Sequence, residues 1–230
     1  MSFRFKRFAI NDHRCAQKVG TDGVLLGAWA PLAGSRVLDV GTGSGLIALM
    51  IAQRFPAAQI VGIDIDAESV AQAAENAAAC EWAERVTMLR ADFLTWETPV
   101  PFDAIVSNPP FFERALECPD GRRAAARHTS ALPLRQLALR SGMLLREGGS
   151  LSVVLPYDAA NDFVFACQTS GLNLARRCNI HTVERKPFRR ALLHFVKGSS
   201  FTYKEETLTL LTPLGTRTAE HDELTREFYL

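Results

Sequence analysis

Asn108-Pro109-Pro110-Phe111 sets a carboxamide, two prolines and a flat ring in four consecutive positions. The prolines fix the backbone after Asn108. Pro110 has no amide hydrogen, so the peptide between the prolines offers an acceptor and no donor. A held side-chain oxygen and a held carbonyl in one cleft can accept both hydrogens of a single –NH2 group. The ring of Phe111 adds a face for a planar substrate. A plain proline turn explains Pro-Pro alone. It does not explain an acceptor and a ring flanking the prolines at a strand end beside a ligand loop.

That loop is Asp39-Val40-Gly41-Thr42-Gly43-Ser44-Gly45. Glycines let a ligand approach the backbone without a Cβ in the way. The dinucleotide fingerprint would need a glycine at 46, where Leu46 stands, so the spacing is GxGxG. Asp39 repels a pyrophosphate and suits a cationic ligand, such as an amino group or a sulfonium. Asp64 closes the next apolar run, 19 residues beyond Gly45. A carboxylate there can accept from both hydroxyls of a ribose. Ile65 beside it can pack on a purine. Asp92 ends a third run and can accept from an adenine amino group, with Phe93 lining the ring. A helix cap is a serious rival for Asp92, but three acids ending three consecutive strands are harder to explain as caps.

These residues need a scaffold that gathers them at one edge. Residues 36–40, 59–64, 86–89 and 102–106 are short apolar runs that read as buried parallel strands. Helices are expected over 46–55, stopped by Pro56, and over 67–80, with Asp66 as N-cap. A helix over 131–146, a strand over 150–155 and a helix near 158–170 continue the alternation. The pattern is α/β: a Rossmann-like open sheet, mostly parallel, with ligands bound beyond the carboxyl ends of its strands. Residues 172–182, 191–197 and 208–212 read as strands added antiparallel at one edge. Residues 1–34 form a small N-terminal elaboration, residues 35–230 the main domain, and 111–130 a long loop.

A chain of 230 residues with 47% hydrophobic and 22% charged residues can bury a full core. No apolar block follows Met1-Ser2-Phe3-Arg4-Phe5-Lys6-Arg7, so no secretory signal is expected. The stretch 24–34 is too short to span a bilayer, which takes about 20 apolar residues. No P-loop motif is present. Five widely spaced cysteines without a CxxC fit neither a disulfide framework nor zinc, and read as small hydrophobes in a cytoplasmic protein. No metal is expected. Net charge is +1, yet three windows, 1–18, 114–146 and 176–197, hold 19 of the 26 basic residues. That distribution suggests one positive surface for a polyanion. Arg122, Arg123, Arg127 and His128, just after the tetrapeptide, are candidates to grip the phosphates of such a partner. Arg185, Lys186, Arg189 and Arg190 can extend the grip.

In combination these motifs resemble the class I S-adenosylmethionine-dependent methyltransferases that methylate amino groups. The likeness reaches both ends of the chain. Asp12 to Ala16, Lys18 to Trp29, Ala126-Arg127-His128 and Leu224 to Leu230 are similar to the bacterial tRNA1(Val) (adenine(37)-N6)-methyltransferase family. The resemblance implies S-adenosylmethionine as cofactor and tRNA as partner, with methyl transfer to N6 of the adenine 3′ of the anticodon. A monomer in the cytoplasm is expected. By the same resemblance, Lys18, Gly20, Thr21 and Asp22 belong to a segment closing over the methionine end of the cofactor. Asp39, Gly41, Gly43 and Gly45 belong to the methionine loop, Asp64 to the ribose, and Ile65, Asp92 and Phe93 to the adenine side. Asn108, Pro109, Pro110 and Phe111 are implied as catalytic. Phe111 stands where tyrosine is commoner in the superfamily, which keeps stacking and loses a hydroxyl. Two catalytic alternatives share the tetrapeptide: methylation of a glutamine amide in protein, and of amino groups in ribosomal RNA or DNA. A non-enzymatic RNA-binding protein is a third reading, opposed by the intact tetrapeptide.

Overall fold

The computed structural model describes residues 2–32, 34–110, 133–198 and 202–230. The chain opens with an antiparallel hairpin, β1 (Ser2–Arg4) and β2 (Ala9–Asn11), followed by helix α1 (Thr21–Trp29). Strands and helices then alternate: β3 (Arg36–Val40), α2 (Leu46–Arg54), β4 (Gln59–Asp64), α3 (Ala67–Ala78), β5 (Val86–Arg90) and β6 (Phe102–Ser107). Next come α4 (Leu134–Leu144), β7 (Leu145–Pro156), α5 (Ala160–Thr169), β8 (Leu172–Val183), β9 (Phe188–Lys197), β10 (Lys204–Leu211) and α6 (Ala219–Thr225). Asp66 caps α3 as expected, accepting from Ser69 N at 2.9 Å.

The main sheet has eight strands in the order β10-β8-β9-β7-β6-β3-β4-β5. From β3 the chain builds outward to β4 and β5, then crosses back to β6 on the other side. The carboxyl ends of β3 and β6 therefore flank a topological switch point, where open α/β sheets bind ligands. The expected antiparallel pairing is present, in a form narrower than expected. Among the described residues only β9 is reversed within this sheet, and it lies inside, between β7 and β8. The edge strand β10 runs parallel to β8. The cause is connectivity: α5 carries the chain past one vacant place to β8, and a short turn returns it as β9.

Alternation along the strands feeds two cores. On β3, Val37 points to the face covered by α1 and α2, whereas Leu38 and Val40 point to the face of α4 and α5. Helix α1 escaped the sequence pattern because Gly23 to Trp29 are all buried, leaving no polar stripe to give a period. It sits close on α2 through Gly27, where a Cβ would come within 2.6 Å of Met50 Sδ. The two ends of the chain meet: Lys6 N donates to Phe228 O at 2.9 Å, Lys6 Nζ donates to Arg226 O at 2.6 Å, and Phe5 stacks on Tyr229.

Candidate active site at the switch point

The turn after β3 depends on left-handed backbone. Gly41, Gly43 and Gly45 have φ of +69°, +55° and +82°, which side chains other than hydrogen adopt only at a cost. Gly41 N and Thr42 N donate to Ile63 O at 2.9 and 3.0 Å, tying the turn to β4. A Cβ on Gly41 or Gly43 would meet no protein atom within 4 Å, so both face open space. Gly45 differs: it N-caps α2 against Met88 and Ala73 and lines neither of the two cavities described below.

Asp39 also stands behind the loop, not in it. Its side chain is fully buried and lines neither cavity described below. Oδ2 accepts from Thr42 Oγ1 at 2.7 Å and from Ala48 N at 3.2 Å, while Oδ1 is buried without a partner. Burial pushes the carboxyl up to about 7, with the two hydrogen bonds opposing. Asn76, in the alanine-rich α3, was not singled out in the sequence. Its Nδ2 donates to Ser44 O at 2.9 Å and Asn11 O at 2.8 Å, and its Oδ1 accepts from Asn11 N at 3.0 Å. One side chain thus joins the glycine loop to the N-terminal hairpin.

A cavity of about 340 Å³ opens beside the loop at the carboxyl ends of β3, β4, β5 and β6. Gly41, Gly43, Asp64, Ile65, Asp92, Phe93, Asn108, Pro109 and Pro110 all line it. Asp64 Oδ2 accepts from Gly43 N and Oδ1 from Asp66 N, each at 3.0 Å, which fixes the carboxylate and leaves each oxygen a further lone pair. Asp92 does cap a turn, through Oδ1 and Leu94 N at 2.9 Å, and still reaches the cavity. Asn108 follows β6, whose last residue Ser107 is anchored by Oγ to Val40 O at 2.8 Å. The Asn108 Oδ1 atom is buried and has no partner. Phe111 lies outside the described residues.

A smaller cavity, about 40 Å³, adjoins the first and is lined by Lys18, Gly20, Gly41, Thr42, Gly43 and Asn108 among others. The N-terminal segment meets it in a way the sequence did not reveal. Lys18 Nζ is spent on the carbonyls of Asp12 and Cys15, at 2.7 and 2.8 Å. Thr21 and Asp22 line neither cavity, and Asp22 Oδ2 is paired with Arg190 Nε at 2.8 Å. The exposed Gln17 lines both cavities instead, and nothing in its sequence context marked it.

The profile of the methyltransferase small domain matches residues 19–160. A tRNA1(Val) (adenine(37)-N6)-methyltransferase of Bacteroides thetaiotaomicron is 43% identical over 99% of this chain and 97% of its own length. The chain belongs to the tRNA1(Val) (adenine(37)-N6)-methyltransferase family. Solved structures agree on the fold. A “predicted O-methyltransferase” from Agrobacterium tumefaciens superposes with a TM-score of 0.69 over 90% of this chain and 96% of that one, at 20% identity. A glycopeptide N-methyltransferase in complex with S-adenosylmethionine gives 0.58 over 79% of this chain and 90% of that one, at 13% identity.

In this member of the tRNA1(Val) (adenine(37)-N6)-methyltransferase family the basic residues divide by what holds them. Arg190, expected among the phosphate-gripping residues, has its guanidinium paired with Asp22. Arg185, Lys186 and Arg189 are exposed. Arg122, Arg123, Arg127 and His128 lie outside the described residues. Among the described residues no cluster of His, Cys, Asp and Glu can hold a metal, and no helix is long and apolar enough to cross a membrane. Cys15, Cys80, Cys167 and Cys178 are buried free thiols, and burial raises the pKa of each.

Proposed function

We propose that this chain transfers a methyl group from S-adenosylmethionine to N6 of adenine 37 in tRNA1(Val). The observation that carries the reading is the buried, unpartnered Oδ1 of Asn108, on the wall shared by both cavities. Leaving such an acceptor unpaired costs about 1–3 kcal/mol, so its presence marks an oxygen kept for an incoming donor. The cradle also suits the cofactor. Gly41 and Gly43 present bare backbone to open space, and Asp64 keeps lone pairs for two ribose hydroxyls. Asp92 and Phe93 serve the adenine ring of the cofactor, with Ile65 beside them. Ala16 and Gln17 at the cavity mouth support residues 1–34 as the part that closes over it. Asp39 acts by holding the loop.

When bound, S-adenosylmethionine supplies an electrophilic methyl carbon on a sulfonium. The protein must ready the nitrogen, whose lone pair is delocalised into the adenine ring. Asn108 Oδ1 and the Pro109 carbonyl accept its two N–H bonds and favour a tetrahedral nitrogen with the lone pair freed. Asn108 stays bonded to the proton the nitrogen must then shed, and water at the cavity mouth takes it. The target base has to leave its stack to reach Asn108, which suits a loop nucleotide. A tRNA partner accords with a cytoplasmic site of action. Asn108→Ala tests the reading. Turnover on tRNA should fall about 10²–10³-fold while affinity for S-adenosylhomocysteine stays within a few-fold. Single-turnover kinetics and calorimetry measure the two, and wild-type turnover in the variant refutes the assigned role.

A further inference from the structure

The β8–β9 hairpin ends at the same sheet edge as the active site. Pro156, the last residue of β7, pairs with Arg190, and Ser107 before the tetrapeptide pairs with Val153. With strands about 4.8 Å apart and about 3.3 Å per residue, Phe188 stands roughly 15 Å from Asn108. In the hairpin Ile180 pairs with Arg190 and His181 with Phe188, so Arg189 is an extra residue outside the ladder. The rings of His181 and Phe188 stack, with centroids 4.0 Å apart and planes at 30°. Tyr157 extends the row, 5.1 Å from Phe188 at 34°. All three rings are half-buried.

The charges around this row separate into two kinds. Arg176, Arg177, Arg190 and Lys197, on the same two strands, each have an acidic side chain as partner. Arg185, Lys186 and Arg189 are exposed at or beside the tip and have no ion-pair partner among the described residues. Rings interleaved with uncommitted cations suit a strand with unpaired bases, because bases stack on the rings and phosphates meet the cations. Extruding one base also leaves its neighbours without a stacking partner.

We propose that this row of rings, backed at the Tyr157 end by the Arg177 guanidinium 5.3 Å from the ring centroid, stacks at its His181 end on an unpaired base of the tRNA loop that carries the target adenine, with Phe188 supporting His181 and with Arg185, Lys186 and Arg189 on the adjoining phosphates. The proposal rests on the tRNA-methyltransferase reading and adds a second point of contact to it.

Filter binding of tRNA at several salt concentrations, beside calorimetry with S-adenosylhomocysteine, tests it. Phe188→Leu keeps apolar packing and removes the ring. It should weaken tRNA binding by about 5- to 100-fold with the salt slope unchanged. Arg185→Gln with Arg189→Gln should lower the slope by about 1–2. Phe188→Trp should bind as wild type, and tRNA should quench its added indole fluorescence. Affinity for S-adenosylhomocysteine should be unchanged in all three. Wild-type tRNA affinity in Phe188→Leu, or an indole in Phe188→Trp that tRNA leaves unquenched, overturns the platform and leaves the methyltransferase reading standing. A wild-type protein that binds neither tRNA nor S-adenosylhomocysteine overturns both.

Discussion

Replacing Asp39 by asparagine should make the protein more stable at alkaline pH, although Asp39 holds the glycine loop. The carboxyl has no exposure, and burial raises its pKa from 3.8 to about 7. The unfolded chain therefore loses this proton near pH 4, while the folded protein keeps it to about pH 7. Below pH 4 both states are protonated and burial costs nothing. Above pH 7 the folded state carries a buried anion, and the accumulated penalty is about 4 kcal/mol at about 1.4 kcal/mol per pH unit. Roughly 3 kcal/mol of this falls between pH 5 and 8. Asparagine keeps an oxygen for Thr42 Oγ1 and Ala48 N and carries no charge. Urea denaturation of both proteins at intervals from pH 5 to 8 measures the effect, and the other titrating groups cancel in the difference. The variant should gain on wild type by about 3 kcal/mol across that range. A difference that does not change with pH would show that Asp39 titrates normally, and the argument from its burial would fail.

Asp64→Ala should weaken S-adenosylhomocysteine binding by about 10- to 100-fold in calorimetry, because two hydroxyls lose their acceptor. Gly43→Ala should cost about 1–2 kcal/mol of stability from the left-handed φ of +55° and weaken the same ligand further by placing a methyl in its space; thermal and ligand titrations separate the two effects. His194, held down to about 4 by burial and then by Arg176, is neutral in the fold and binds a proton near pH 6.5 when unfolded. Its contribution is thus present above pH 6.5 and lost as pH falls toward 4. His194→Asn should show a shallower acid loss in the same urea titrations, and parallel curves would refute that.

The site was legible where one residue type has one backbone use. GxGxG announced a turn that needs left-handed φ at three places, and all three have it. Pro109 and Pro110 marked the strand end beside it in the same way. Apolar runs marked the parallel strands, and β3 and β6 are buried on both faces as expected; β5, expected to be buried like them, is the edge strand and leaves Thr87 and Leu89 exposed. Side-chain commitments across the chain stayed hidden. Lys18 and Asp22 both sit in the segment matched to the cofactor, yet the ammonium is held by local carbonyls and the carboxylate by Arg190, 168 positions away. Helix α1 lacked a period because it lacks a solvent face. The reversal of β9 is a property of sheet order, which no local pattern encodes.

The meeting of the chain ends sets a timetable for synthesis. Lys6 and Phe5 find their partners at Arg226, Phe228 and Tyr229. At about 5–20 residues per second, those partners leave the ribosome roughly 10–45 s after the hairpin does. During that interval Phe5 and Phe8, buried in the finished protein, lack part of their cover. The glycine loop, bound to the hairpin through Asn76, can form early, but its support is complete only once residues 226–229 have emerged. The nascent chain thus carries an apolar N-terminal arm that chaperones can hold, and methyl-transfer competence should appear late, when residues 226–229 dock.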